Sequence, residues 1–105
     1  MYIEFEKEYL RELYETGKCS NKKYRFQPEI IKAYKRCVEK LIAAHNTETL
    51  YQLHSLNYEV LVGDKAGISS VRINDKYRLE FRIENISDEQ VLTLCLILEI
   101  TNHYQ

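Results

Sequence analysis

The stretch Ser70-Val71-Arg72-Ile73-Asn74-Asp75-Lys76-Tyr77-Arg78-Leu79-Glu80-Phe81-Arg82-Ile83 decides how this chain folds. Its odd positions (Val71, Ile73, Tyr77, Leu79, Phe81, Ile83) are apolar, and its even strand positions (Ser70, Arg72, Arg78, Glu80, Arg82) are polar. Strand side chains alternate faces, so the odd residues define a core side. Facing residues of an antiparallel pair share a side, so odd must meet odd across the turn. A three-residue loop, Asn74-Asp75-Lys76, satisfies that rule and is rich in turn formers. The reading predicts Ile73 opposite Tyr77 and Arg72 opposite Arg78. Two arginines in direct opposition repel each other. Either Glu80, on the same face, balances them, or they hold a phosphate, whose oxygens match guanidinium forks.

The segment Val91–Ile100 is apolar on both sides, as a central strand is. Its more uniformly apolar even positions, Leu92, Leu94, Leu96, Leu98 and Ile100, are assigned to the helices. Thr93, Cys95, Ile97 and Glu99 then share the outer face with the arginines. Continuing the strand puts His103 on that face and Tyr104 on the other. Strands are also expected at Ile68–Ile73 and Tyr77–Glu84, and a short one at Ile3 and Phe5.

Between them the period changes. Tyr9, Leu10, Leu13 and Tyr14 recur at helical spacing and stop at Gly17-Lys18. Pro28 opens a second helix. Its apolar stripe is Ile30, Ile31, Tyr34, Val38, Leu41 and Ile42, and its outer face carries Lys32, Lys35, Arg36 and Lys40. That helix is expected to end near His45-Asn46, with Thr47 capping a short turn through Tyr51. Helices followed by a strand-rich half read as α+β, in one domain spanning 1–105.

Fifteen Lys+Arg against sixteen Asp+Glu give a net charge of −1, so bulk charge does not steer in a polyanion and any anion site must be local. Cys19, Cys37 and Cys95 are odd in number and widely spaced, and His45, His54 and His103 form no ligand-spaced pair. Disulfide and metal frameworks are therefore unsupported, and no cofactor is expected. The longest apolar run, Val91–Leu98, is far short of the roughly 18 residues of a membrane span. The default is a reduced, cytoplasmic protein with no membrane partner.

The stretch Leu61-Val-Gly-Asp-Lys-Ala-Gly-Ile-Ser-Ser-Val-Arg-Ile-Asn-Asp-Lys-Tyr-Arg-Leu-Glu-Phe81 resembles the signature of HigB-like toxins of the RelE/ParE superfamily, a plasmid-maintenance killer family. The two upstream helices, the Leu-rich last strand and the Asn102-His103-Tyr104 ending fit the same pattern. The resemblance implies two N-terminal helices packed on an antiparallel sheet. It implies the toxin of a type II toxin–antitoxin pair, with a HigA-like helix-turn-helix antitoxin. It also implies action in the ribosomal A site, where such toxins cut mRNA without a metal through attack of the ribose 2′-OH. By position, Arg72 and Arg78 would hold the phosphate. His103 would be the general acid or base, with Tyr104 as its substitute or as a stacking residue. Lys65, and with it Lys76, Arg82 and Asn102, would contact RNA. Apart from the resemblance, the basic face of Lys32, Lys35, Arg36 and Lys40, with Lys22, Lys23 and Arg25, reads either as a solvated helix face or as a ribosomal-RNA surface. The chain departs from the pattern at Glu59 (usually His), at Ser69 and Tyr77 (usually Trp), and at Asn102 (usually Asp). The order His103-Tyr104 is also reversed. Two other readings stay open: a ParE-like, non-enzymatic gyrase inhibitor, and an inactive relative that only binds its antitoxin.

Overall fold

A computed structural model describes residues 1–85 and 93–102. The described elements are β1 (Tyr2–Phe5), α1 (Glu8–Thr16), α2 (Pro28–Ala43), α3 (Thr47–Gln52), β2 (Glu59–Val60), β3 (Ser69–Arg72), β4 (Tyr77–Asn85) and β5 (Thr93–Asn102). Single 3-10 turns lie at Lys22–Tyr24, His54–Leu56 and Gly63–Lys65. The strands form one sheet in the order β1-β5-β4-β3-β2.

The hairpin is as its alternation predicts. Val71 pairs with Leu79 and Arg72 with Arg78, and the Ile73 amide donates to the Tyr77 carbonyl at 3.0 Å. Asn74 makes the turn, its Oδ1 accepting from the amides of Lys76 at 2.9 Å and Tyr77 at 2.8 Å. An Asn side chain that folds back on its own backbone in this way closes a turn without help from the rest of the fold.

The sheet is mixed, not antiparallel throughout, because β1 runs parallel to β5. A hairpin can join only antiparallel strands. β1 and β5 are separated by most of the chain, so no turn dictates their direction. The fold also has a third, short helix. Asn46, not Thr47, caps it through an Oδ1 that accepts from the Thr49 amide at 3.1 Å. α2 accordingly stops at Ala43, before His45-Asn46.

β5 needs a second correction. Glu80 pairs with Glu99 but Phe81 pairs with Ile97, so Leu98 is an extra residue in β5. The bulge switches the alternation. On one side of it Ile100 joins Leu79 in the core; on the other, Cys95 and Ile97 face the core with Ile83 and Phe81. Leu94 and Leu96 therefore lie on the outer face, across from Glu84 and Arg82. In a strand apolar on both sides, alternation cannot show an inserted residue. Leu92 is outside the described residues.

One core joins Leu10 and Leu13 of α1, Tyr34, Val38 and Leu41 of α2, Leu50, Leu56, and Val71, Leu79, Phe81, Cys95 and Ile97 of the sheet. Full burial of each large side chain contributes about 1.5–3 kcal/mol. The buried Tyr34 hydroxyl donates to the Leu10 carbonyl at 2.7 Å and so ties α2 to α1. Ile42 departs from the expected stripe and is exposed. It lies beside the fully buried Leu41, in the last turn of α2. Cys37 and Cys95 pack as small apolar groups, and their thiols are pushed up to about 11 and about 12 by burial. Among the described residues, no helix is long and apolar enough to cross a membrane.

Candidate functional site

The helices cover one face of the sheet, and the even residues of the hairpin point to the other. There a cleft of about 660 Å³ is lined by Glu59, Lys65, Ser70, Arg78, Glu80 and Glu99, with Thr101 and Asn102 at the end of β5. Its size suits a small ligand or a nucleotide.

Arg78 is fixed in the cleft floor. Its side chain is only 7% exposed. Nε donates to Ser70 Oγ at 2.5 Å, and Nη2 donates to the carbonyls of Asn57 at 2.7 Å and Ser70 at 3.3 Å. Glu59 Oε2 lies 3.6 Å from the same Nη2. Asn57 takes part because its backbone is left-handed (φ 46); Asn is among the few non-glycine residues that tolerate this conformation. A buried guanidinium needs such partners, because an unpaired one costs several kcal/mol.

Lys65 enters the cleft from the loop before β3. Gly63 (φ 71) and Gly67 (φ 88) bracket that loop, and backbone in this region is nearly free of strain only for glycine. Lys65 Nζ is 2.7 Å from Glu80 Oε2. The Glu80 carboxylate is 9% exposed. Glu80 faces Glu99 across β4 and β5, and Glu99 lies 3.7 Å from Lys7 Nζ. The cleft thus offers two cations and three carboxylates, and each cation is already matched by a carboxylate.

Arg72 and Arg78 are cross-strand partners as expected, but Glu80 does not balance them. Arg72 pairs with Asp75 in the turn, and Arg78 with Glu59. Glu80 belongs to Lys65 because Lys65 approaches over the middle of the sheet, whereas Arg78 bends toward β2.

The structure therefore brings Lys65, Arg78 and Asn102 to one cleft. Arg72, Lys76 and Arg82 do not line it: Arg72 and Lys76 lie at the hairpin turn, and Arg82 is exposed farther along β4. Lys32, Lys35 and Arg36 belong to α2 and line no part of it; Lys32 and Lys35 border a shallow pocket beside Gly17 and Pro28. His103 and Tyr104 lie outside the described residues. Glu59, Ser70 and Thr101 were not singled out as site residues by the sequence. β2, which carries Glu59, is only two residues long and shows no alternation to read. Tyr58 and Tyr77 do not line the cleft. Tyr58 is hydrogen-bonded to Ser69 at 3.0 Å, and burial raises its hydroxyl pKa. Tyr77 packs edge-on against Phe26. Among the described residues, no group of three His, Cys, Asp or Glu is placed to hold a metal ion.

This α+β domain with a mixed five-stranded sheet shares its fold with a solved toxin. The YoeB/ParE toxin from Agrobacterium tumefaciens superposes with a TM-score of 0.57 at 16% identity, covering 99% of this chain and 100% of that one. The family model for the HigB-like toxin, a RelE-like toxin of type II toxin–antitoxin systems, matches residues 3–96. The chain belongs to this family, and is the toxin of a pair whose second member is an antitoxin. No curated protein gives a significant match.

Proposed function

We propose that this toxin is a ribosome-dependent mRNA endonuclease that cuts without a metal. The observation that carries the reading is the immobilised Arg78 in the floor of a nucleotide-sized cleft, with Lys65 on the same face. In the reaction, the ribose 2′-oxygen attacks the adjacent phosphorus and the P–O5′ bond breaks. The products are a 2′,3′-cyclic phosphate and a 5′-OH. A base must take the 2′-OH proton, an acid must supply one to O5′, and cations must meet the extra charge on the phosphorane.

Arg78 and Lys65 supply the cations. Arg78 cannot reorient, so its charge is in place before the phosphate arrives, which is the condition for electrostatic stabilisation. Glu59 is the best-placed base: its carboxylate is half-exposed, borders the cleft and is adjacent to Arg78. β5 delivers the chain to Asn102 on the cleft lining, one residue before His103, which we assign as the general acid with Tyr104 as its alternate. Arg72, at the next position out from the cleft, binds the neighbouring phosphate. The antitoxin is of the HigA-like helix-turn-helix kind, and the ribosomal A site presents the message.

The test is induction of the wild-type toxin in cells, with transcript 5′ ends mapped. Cuts in codon phase support the reading, and intact transcripts contradict it. A second reading, a relative that only binds its antitoxin, is favoured by the carboxylate matched to each cleft cation. It predicts normal growth when the chain is expressed alone.

A further inference from the structure

A second cleft, of about 450 Å³, lies where the β3–β4 turn meets the segment leading into α2; Arg25, Phe26, Gln27, Asn74, Lys76 and Tyr77 are among its lining residues. Its charge is opposite in character to that of the first. Arg25 and Lys76 border it with Glu29 the one carboxylate, and among the described residues neither cation makes an ion pair. The segment that supplies Arg25, from Gly17 to Pro28, holds Lys18, Lys22, Lys23 and Arg25 and no acidic residue, in a chain whose net charge is −1. Four cations and no acidic residue thus lie in the segment that leads into this cleft.

Resting on the endonuclease reading, we propose that this cleft is a second RNA site, which holds a single-stranded segment of the same strand on its way out of the first cleft. The two clefts open on opposite faces of the sheet and meet at one end of it: Tyr77, in the second, is the cross-strand partner of Asn102, in the first. A strand leaving the first cleft at Asn102 reaches Tyr77 and Lys76 by turning over that end of the sheet. The lining also favours RNA over an acidic peptide. A peptide of carboxylates needs only cations, whereas here two side-chain amides and two aromatic rings accompany them. Amides and rings are the groups that contact the edges and faces of unpaired bases. Arg25 and Lys76 take the phosphodiesters, and Gln27, Asn74, Phe26 and Tyr77 receive the bases.

The test is titration of a labelled single-stranded RNA oligonucleotide, across a range of salt, with the wild-type toxin, Arg25→Gln/Lys76→Gln, and Arg11→Gln as a control on α1. Arg25 and Lys76 are exposed and make no ion pair among the described residues, and retained far-UV circular dichroism establishes that the variant is folded. The double variant should bind about tenfold more weakly, with a salt slope smaller by about 1.4, the loss of two phosphate contacts to a single strand. The control should match wild type. An unchanged slope in the double variant overturns the proposal, as does a wild-type protein that does not bind the oligonucleotide. An oligoglutamate peptide is the competing probe: if it is lost from the double variant while RNA binding persists, the cleft is a protein site. If wild type binds RNA with this dependence but leaves transcripts intact on ribosomes, the endonuclease reading fails and the second site stands.

Discussion

Arg72 and Arg78 face each other directly across β3 and β4, and each is balanced by a different carboxylate, Asp75 for the first and Glu59 for the second. The repulsion is thereby split between an exposed turn and a buried floor. The two residues should respond differently to removal. Arg72→Ala breaks a pair whose side chains are 41% and 91% exposed and should cost under about 1 kcal/mol. Arg78→Ala leaves Ser70 and the Asn57 carbonyl without their donor and should cost about 3 kcal/mol. Urea unfolding of the two variants measures the difference; equal losses would contradict the assignment of Arg78 as a structural as well as a functional group.

Glu80 holds Lys65 in a cleft that is to receive phosphate. Glu80→Gln keeps the shape and a hydrogen-bond acceptor while removing the charge. RNA binding by that variant should tighten by about two- to fivefold, a modest gain because Lys65 is half-exposed. Fluorescence anisotropy at fixed salt reads it. Weaker binding would mean that Glu80 aids the ligand rather than competing with it.

Glu59→Gln separates chemistry from binding. If Glu59 takes the 2′-OH proton, ribosome-programmed cleavage should slow by about a hundredfold or more, while oligonucleotide affinity holds or rises, as for Glu80→Gln. A cleavage rate within a fewfold of wild type would transfer the base role to another group.

Stability should fall at alkaline pH. Burial raises Tyr9 from 10.0 to about 12, Cys37 from 9.0 to about 11 and Cys95 from 9.0 to about 12. These groups are neutral when protonated, and the fold favours that form. Their contribution is complete below the unfolded values near 9 to 10. It is lost as pH rises through the folded values, at about 1.4 kcal/mol per pH unit for each group. Urea midpoints between pH 7 and 11 should decline, and Cys95→Ala should decline less steeply. An identical slope would contradict a buried, protonated Cys95.

The hairpin was legible because two local rules, strand alternation and turn chemistry, determine it within fourteen residues. Its arginine pair, its Asn74 turn and the core side of Val71, Leu79 and Phe81 all follow from them. The cleft was less legible, because its contacts are long-range. The Asn57 carbonyl reaches Arg78 from 21 residues away, and Lys65 reaches Glu80 from 15. The Leu98 bulge decides which β5 residues share the outer face, and a run of leucines carries no mark of it. The parallel β1–β5 pairing depends on where α1 and α2 return the chain, which no local pattern encodes.

The cleft around Arg78 and Lys65 is proposed to cut message on the ribosome. The direct measurement incubates purified toxin with ribosomes programmed with a defined mRNA and analyses the fragment ends. Cleavage is expected in the A-site codon, leaving a 2′,3′-cyclic phosphate and a 5′-hydroxyl and persisting in EDTA at a level that keeps ribosomes intact. Message that stays whole under conditions where the toxin is bound to the ribosome would contradict it.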